Sequence, residues 1–148
     1  AGQGGQTMPT ILVVDDQHCI RELLAEVLMD EGYRVETVGD AMGAVQRVRA
    51  SQPDLVLLDL FLGEPDGWDV LRDMKRQAPY MPVVIFTAYD SFKEDSRLSE
   101  AQGYVIKSTD FTELKETISQ TLARTIDRQS DFKARTYVSQ IGSVMQPF

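Results

Sequence analysis

Five strand-length runs, apolar or alternating, recur along this chain, and each is followed by a stretch that reads as a helix. The runs fall at 10–14 (TILVV), 34–38 (RVETV), 54–58 (DLVLL), 82–86 (PVVIF) and 103–107 (GYVIK). The short β-branched first run reads as a buried strand, and the continuous apolar third has the composition of a strand buried on both faces of a parallel sheet. Between the first two, Ile20, Leu23, Leu24, Val27 and Leu28 follow i, i+3, i+4, i+7, i+8 spacing, with Arg21, Glu22, Glu26 and Asp30 on the opposite face. Gly32 stands where a helix end favours a left-handed residue. A second helix is expected through Ala41, Ala44, Val45 and Val48, stopping near Pro53, and a third over 67–77 through Trp68, Leu71 and Met74. Residues 90–101 give a weakly patterned fourth helix, polar on nearly every side. Asp110 and Glu113 have capping-box spacing for a last helix through Leu114, Ile118 and Leu122.

Strand and helix alternating five times imply right-handed crossovers and a doubly wound parallel sheet, an α/β class. By analogy with flavodoxin-like (β/α)5 domains, the expected strand order is 2-1-3-4-5, with a ligand site where the order reverses between strands 1 and 3. A chain of 148 residues suits one such domain. Residues 1–7 lack any pattern and are read as an expression-vector remnant, 8–127 as the domain, and 128–148 as an extension or linker stub. Tyr137, Val138, Ile141, Val144 and Met145 fit one helical stripe in that extension, which leaves open a dimerisation helix or a connection to an output domain. A formal charge of −8 disfavours binding to phosphate backbones, and no apolar run approaches the roughly 18 residues of a membrane span. One cysteine, Cys19, rules out an internal disulfide and fits a cytoplasmic setting.

Polar residues gather where the apolar runs end: Asp15 and Asp16 after the first, Asp59 after the third, Thr87 after the fourth, Lys107 closing the fifth. In an open parallel sheet these ends share one edge, where ligands bind. Singly, each is ordinary, since an aspartate after a strand is usually a cap or turn former. Five such residues on four strands are another matter. Three carboxylates converging at one edge cannot all stay ionised without a compensating cation, and Mg²⁺, held by carboxylates, waters and phosphate oxygens, fits that need. His18 and Cys19 are adjacent, point apart on a helix and form no metal site; Trp68 is read as packing.

The motifs VVDDQ (13–17), LLDL (57–60), PDGWDVL (65–71), FTAY (86–89) and GYVIK (103–107) occur at set intervals, with Asp59 28 positions before Thr87 and 48 before Lys107. Across 10–124 the chain thereby resembles a response-regulator receiver domain of bacterial two-component signalling. The resemblance implies that Asp59 accepts a phosphoryl group from a sensor histidine kinase or a phosphotransfer protein. Asp16 and Asp59 would ligate Mg²⁺, Asp15 would act through a water, and the backbone carbonyl of Phe61 would be a further ligand. Lys107 would pair with the phosphoryl oxygens and the Thr87 hydroxyl would hydrogen-bond one of them. Thr87 and Tyr104 would form the switch, repacking a surface of the fourth helix, fifth strand and fifth helix. The resemblance implies a signalling phosphoprotein rather than a turnover enzyme, and it leaves a homodimer open. Alternatives are the receiver part of a longer regulator or a pseudo-receiver that is never phosphorylated.

Three features depart from the family pattern. Ser108 follows Lys107 where most members carry a cis proline; a cis bond to a non-proline residue costs about 2.5–4 kcal/mol, so a trans bond and a shifted loop are expected. Gly63 stands where the family often has proline, with Pro65 two positions later. Phe61 and Tyr89 flank the path of hydrolytic water by resemblance, implying a shielded phosphoryl group. A flavin domain would need a Ser/Thr/Gly-rich phosphate loop in place of Asp15 and Asp16, an aspartate-nucleophile phosphatase would need D-x-D, and no glycine-rich nucleotide loop occurs.

Overall fold

The computed structural model of the chain describes residues 8–63, 66–90 and 92–125. The expectations for 1–7 and 128–148 fall outside the described residues. Five strands, β1 (Thr10–Val14), β2 (Arg34–Val38), β3 (Leu55–Leu58), β4 (Val83–Thr87) and β5 (Gly103–Ile106), form one parallel sheet in the order β2-β1-β3-β4-β5. That is the expected order. Helices α1 (His18–Asp30), α2 (Ala41–Ser51) and α3 (Gly67–Gln77) fill the first three crossovers, and a further helix, α4, runs over 112–125.

The sheet divides its side chains by parity. Leu12 and Val14 of β1, Val56 and Leu58 of β3, and Val83 and Ile85 of β4 face α2 and α3, where Ala44, Val48, Leu71 and Met74 close the layer. The intervening residues, Ile11, Val13, Leu55, Leu57, Val84 and Phe86, meet Leu24 and Leu28 of α1 and Leu114, Ile118 and Leu122 of α4. Both faces of the central strands are therefore dry, which is why their sequences read as unbroken apolar runs. Burying each large side chain contributes roughly 1.5–3 kcal/mol relative to exposure.

Local signals set most of the boundaries. Gly32, at φ +94°, ends α1: its amide donates to the Met29 carbonyl and that of Tyr33 to the Leu28 carbonyl, the paired bonds of a Schellman ending. Asp40 and Asp66 cap α2 and α3, accepting from the amides of Gly43 and Asp69 at 2.6 and 3.0 Å.

Two expectations are corrected. Residues 90–101 do not form an α-helix; they contain a turn at 92–94 and a single 3-10 stretch, Ser96–Glu100. Asp95 accepts from the amide of Arg97, and the amides of Leu98 and Ala101 donate to carbonyls three residues back, so the chain tightens where no apolar stripe would hold a full helix against the sheet. At the last helix, Asp110 accepts from the amide and hydroxyl of Thr112 at 2.9 and 2.7 Å. It acts one residue nearer than a capping box requires, and Glu113 does not close the box. Ser108 contributes to this entry turn, its hydroxyl accepting from the Asp110 amide at 3.2 Å.

Candidate functional site

Strand pairing delivers the five sequence-selected residues to one edge. The Asp15 amide donates to the Val38 carbonyl of β2 at 3.2 Å, and the Asp59 amide to the Val14 carbonyl of β1 at 2.9 Å. Each aspartate is thus held by the neighbouring strand just beyond its own. The Lys107 amide donates to the Thr87 carbonyl at 2.7 Å, fixing the ends of β4 and β5 together.

Asp15 and Asp59 are almost fully buried, whereas Asp16 is exposed. One carboxylate oxygen from each lies within 4.8 Å of the others, close enough to share a cation. Lys107 joins them, its Nζ 2.7 Å from Asp15 Oδ2 and 3.1 Å from Asp59 Oδ2. The remaining carboxylate oxygens are held by backbone: Asp15 Oδ1 accepts from the Gln17 amide at 2.9 Å and Asp59 Oδ1 from the Phe61 amide at 3.1 Å. Thr87 is completely buried, and its Oγ1 has no hydrogen-bond partner among the described residues.

The charges respond to this crowding. Burial pushes the Asp59 carboxyl above its ordinary value; the Phe61 amide and Lys107 pull it back and the charge of Asp15 adds to the rise. For Lys107, burial works against its charge, but the hydrogen bond to Asp15 and the charges of Asp59 and Asp15 outweigh it, and its pKa is raised. One ammonium therefore stands against two buried carboxylates and a third, exposed one. A hard divalent ion fits the all-oxygen donor set.

The loop after β3 is shaped by two glycines. Gly63 takes φ +90°, a conformation closed to the proline that the family often has there. Gly67 opens α3 so close to the chain that a β-carbon on it would lie 2.4 Å from Leu60 Cα, and its amide donates to the Leu60 carbonyl at 3.0 Å. The ring of Phe61 meets Tyr89 at 4.6 Å between centroids and Phe92 at 5.7 Å; Phe92 also meets Trp68 at 5.9 Å. Arg97, bound to Asp95, lies over Trp68 at 4.1 Å. Tyr104 sits at the rim and donates its hydroxyl to the Tyr89 carbonyl.

Sequence reasoning missed two members of this neighbourhood. Phe92, assigned to a polar helix, joins the aromatic cluster, and its contacts come from residues at least 24 positions away, beyond any local period. Arg21, read as part of a solvated helix face, donates from Nη1 to the Asp15 carbonyl at 2.8 Å.

The acid cluster and the lysine thus lie at the switch point of a doubly wound parallel sheet, the edge where ligands bind in this class of α/β domain. The response regulator receiver domain model matches residues 11–119, and the chain belongs to that family of two-component signalling modules. It is similar to the transcriptional regulatory protein ZraR of Klebsiella oxytoca, 38% identical over 138 residues, which cover 90% of this chain and 30% of that protein. Among solved structures it resembles the Thermotoga maritima response regulator TrrA in complex with Mg²⁺-BeF, with a TM-score of 0.74 and 35% identity over 77% of this chain and 99% of that one. TrrA in complex with the histidine kinase ThkA matches with a TM-score of 0.73 and 36% identity, over 78% and 99% of the two chains. The chain thus spans about a third of the length of the curated regulator ZraR. Among the described residues, no helix is long and apolar enough to cross a membrane.

Proposed function

We propose that Asp59 accepts a phosphoryl group from a histidine kinase, and that Asp15, Asp16 and Asp59 hold Mg²⁺ while it does so. The observation that carries this reading is the meeting of Lys107 with Asp15 and Asp59 at 2.7 and 3.1 Å beside an exposed Asp16. Asp16, Asp59 and the backbone carbonyl of Phe61 would hold the ion directly, with Asp15 acting through a water. Bound Mg²⁺ supplies charge neutralisation for the incoming phosphoryl oxygens.

The chain's own residues do the rest. Asp59 Oδ attacks the phosphorus of a phosphohistidine, the P–N bond breaks with its electron pair going to the ring nitrogen, and the imidazole leaves neutral with a proton taken from solvent. Lys107 exchanges a carboxylate contact for a phosphoryl oxygen. The Thr87 hydroxyl, buried at the end of the neighbouring strand, donates to another. Positioning and charge supply most of the catalysis, because phosphoryl transfer asks for little other chemistry. The inward turn of Thr87 frees space for Tyr104, whose release from the Tyr89 carbonyl repacks the face made by the 3-10 stretch, β5 and α4. Residues 8–127 constitute this signalling unit. It works in the cytoplasm, and a homodimer is one form in which the repacked face is read.

Support for the metal comes from the Mg²⁺-BeF complex of TrrA, and for the kinase partner from the TrrA complex with ThkA. A second reading concerns the whole protein. Because ZraR extends far beyond the matched region, the chain is the receiver part of a longer transcriptional regulator.

Incubation with a small acyl phosphate and Mg²⁺, followed by intact-mass measurement, tests the central claim. Wild type should gain one phosphoryl group and Asp59→Asn none. Equal labelling of the two proteins would overturn it.

A further inference from the structure

We infer that Arg21 is a positioning residue for the acidic cluster, setting the orientation of the peptide that carries Asp16. The inference rests on the metal reading above. Asp16 is exposed, and its carboxylate has no hydrogen-bond partner among the described residues. Its direction therefore depends on its backbone. The peptide plane entering Asp16 carries the Asp15 carbonyl, and that carbonyl is the group Arg21 Nη1 holds at 2.8 Å.

Everything else about Asp15 is held from other directions. Its amide donates to the Val38 carbonyl, Oδ1 accepts from the Gln17 amide and Oδ2 from Lys107. Arg21 closes the one remaining side, that of the Asp15–Asp16 peptide.

A guanidinium makes its strongest hydrogen bonds to carboxylates. Among the described residues Arg21 forms no ion pair; it binds a neutral carbonyl and touches His18 Nδ1 through Nη2 at 3.3 Å. Its charge is thus spent on orientation. The site for the guanidinium is also kept clear. A β-carbon at Gly39 would lie 2.8 Å from Nη1 and 3.2 Å from the central guanidinium carbon. The atoms that would give way are those of the arginine tip, so a side chain at 39 would unseat Arg21 while leaving the backbone intact. Arg21 and Gly39 form one device, reached from α1 on one side and the β2–α2 turn on the other.

Partners that orient metal ligands from outside the coordination shell typically account for 10–100-fold in metal affinity. Arg21→Met keeps the apolar stem and removes the donor. Calorimetric Mg²⁺ titration of the 148-residue chain should show this variant binding about 10-fold more weakly than wild type. Urea midpoints in EDTA should move little. Gly39→Val should weaken Mg²⁺ binding similarly in the wild-type background and add nothing in the Arg21→Met background, the signature of two residues acting as a unit.

Arg21→Met or Gly39→Val protein that binds Mg²⁺ within twofold of wild type overturns the inference while leaving the metal reading in place. Wild type that takes up no Mg²⁺ overturns both. A lowered urea midpoint with unchanged Mg²⁺ affinity marks a purely structural arginine, and also overturns it. Should Arg21→Met fail to fold, Gly39→Val alone decides the matter.

Discussion

Lys107→Met removes the one side-chain cation that pairs with the buried aspartates among the described residues, and its consequences can be sized. Nζ lies 2.7 Å from Asp15 Oδ2 and 3.1 Å from Asp59 Oδ2, and its side chain is only 18% exposed. At those separations and an effective dielectric of about 20, Coulomb's law gives a gross attraction of roughly 5–6 kcal/mol per contact. Desolvation of the ammonium and the carboxylates offsets much of this. Removing one partner of a buried pair costs about 3–5 kcal/mol, because a charge is left uncompensated. Residual exposure of Lys107 places the expected loss at the lower end, about 3 kcal/mol. With a urea slope of about 1.5 kcal/mol per M, the midpoint in EDTA should fall by about 2 M. Mg²⁺ should act in the opposite direction. The ammonium occupies oxygens that a metal would use, so Lys107→Met should bind Mg²⁺ more tightly than wild type. At 100 times its dissociation constant, Mg²⁺ should return about 2.7 kcal/mol of stability. Paired urea titrations in EDTA and in saturating Mg²⁺ measure both effects. A loss under about 1 kcal/mol, the size of a solvent-exposed pair, together with weaker Mg²⁺ binding, would refute the reasoning.

Other perturbations test different parts of the structure. Burial raises the Asp59 carboxyl above its ordinary value, so its contribution to stability is present below about pH 4 and lost as pH rises through the folded-state value. Without metal, Asp59→Asn should therefore be more stable than wild type at neutral pH, and the gap should close on acidification; urea titrations across pH that show no gap would contradict this. Gly67→Ala should destabilise by about 1–3 kcal/mol, since its β-carbon would meet Leu60 backbone, which cannot rotate away; thermal unfolding reads the loss. Tyr89→Ala opens one side of the Phe61 ring, which it meets at 4.6 Å, and should shorten the lifetime of the phosphorylated protein severalfold as followed by intact mass. An unchanged lifetime would remove the shielding role of the pair.

What the sequence disclosed follows the range of the forces involved. Runs such as TILVV and PVVIF announce strands because both faces of β1 and β4 are buried, leaving no polar residue to interrupt the signal. Helix α3 runs from Gly67 to Gln77 as its spacing predicts. Asp15, Asp59, Thr87 and Lys107 were legible as strand ends, since a parallel sheet carries all such ends to one edge. The segment before β5 was misread because its structure depends on distant partners: Phe92 is fixed by Phe61 and Trp68, and Arg97 by the Trp68 ring. Arg21 escaped notice for a similar reason. On a helical wheel it is one more charge among Glu22, Glu26 and Asp30; only the folded β1–α1 turn brings a carbonyl to it.

The unsatisfied Thr87 hydroxyl has an energetic meaning of its own. A buried donor without an acceptor costs about 1–3 kcal/mol, and Thr87 Oγ1 is buried with no partner among the described residues. Coupling between distant sites in proteins is typically of the same size, about 1–3 kcal/mol, or 5–150-fold in an equilibrium. If Thr87 is the switch proposed above, an oxygen atom arriving within its reach would relieve a cost of the size that separates two packings. In that reading the signal would need no hinge and no large moving part, since a single hydrogen bond at Thr87 would carry it.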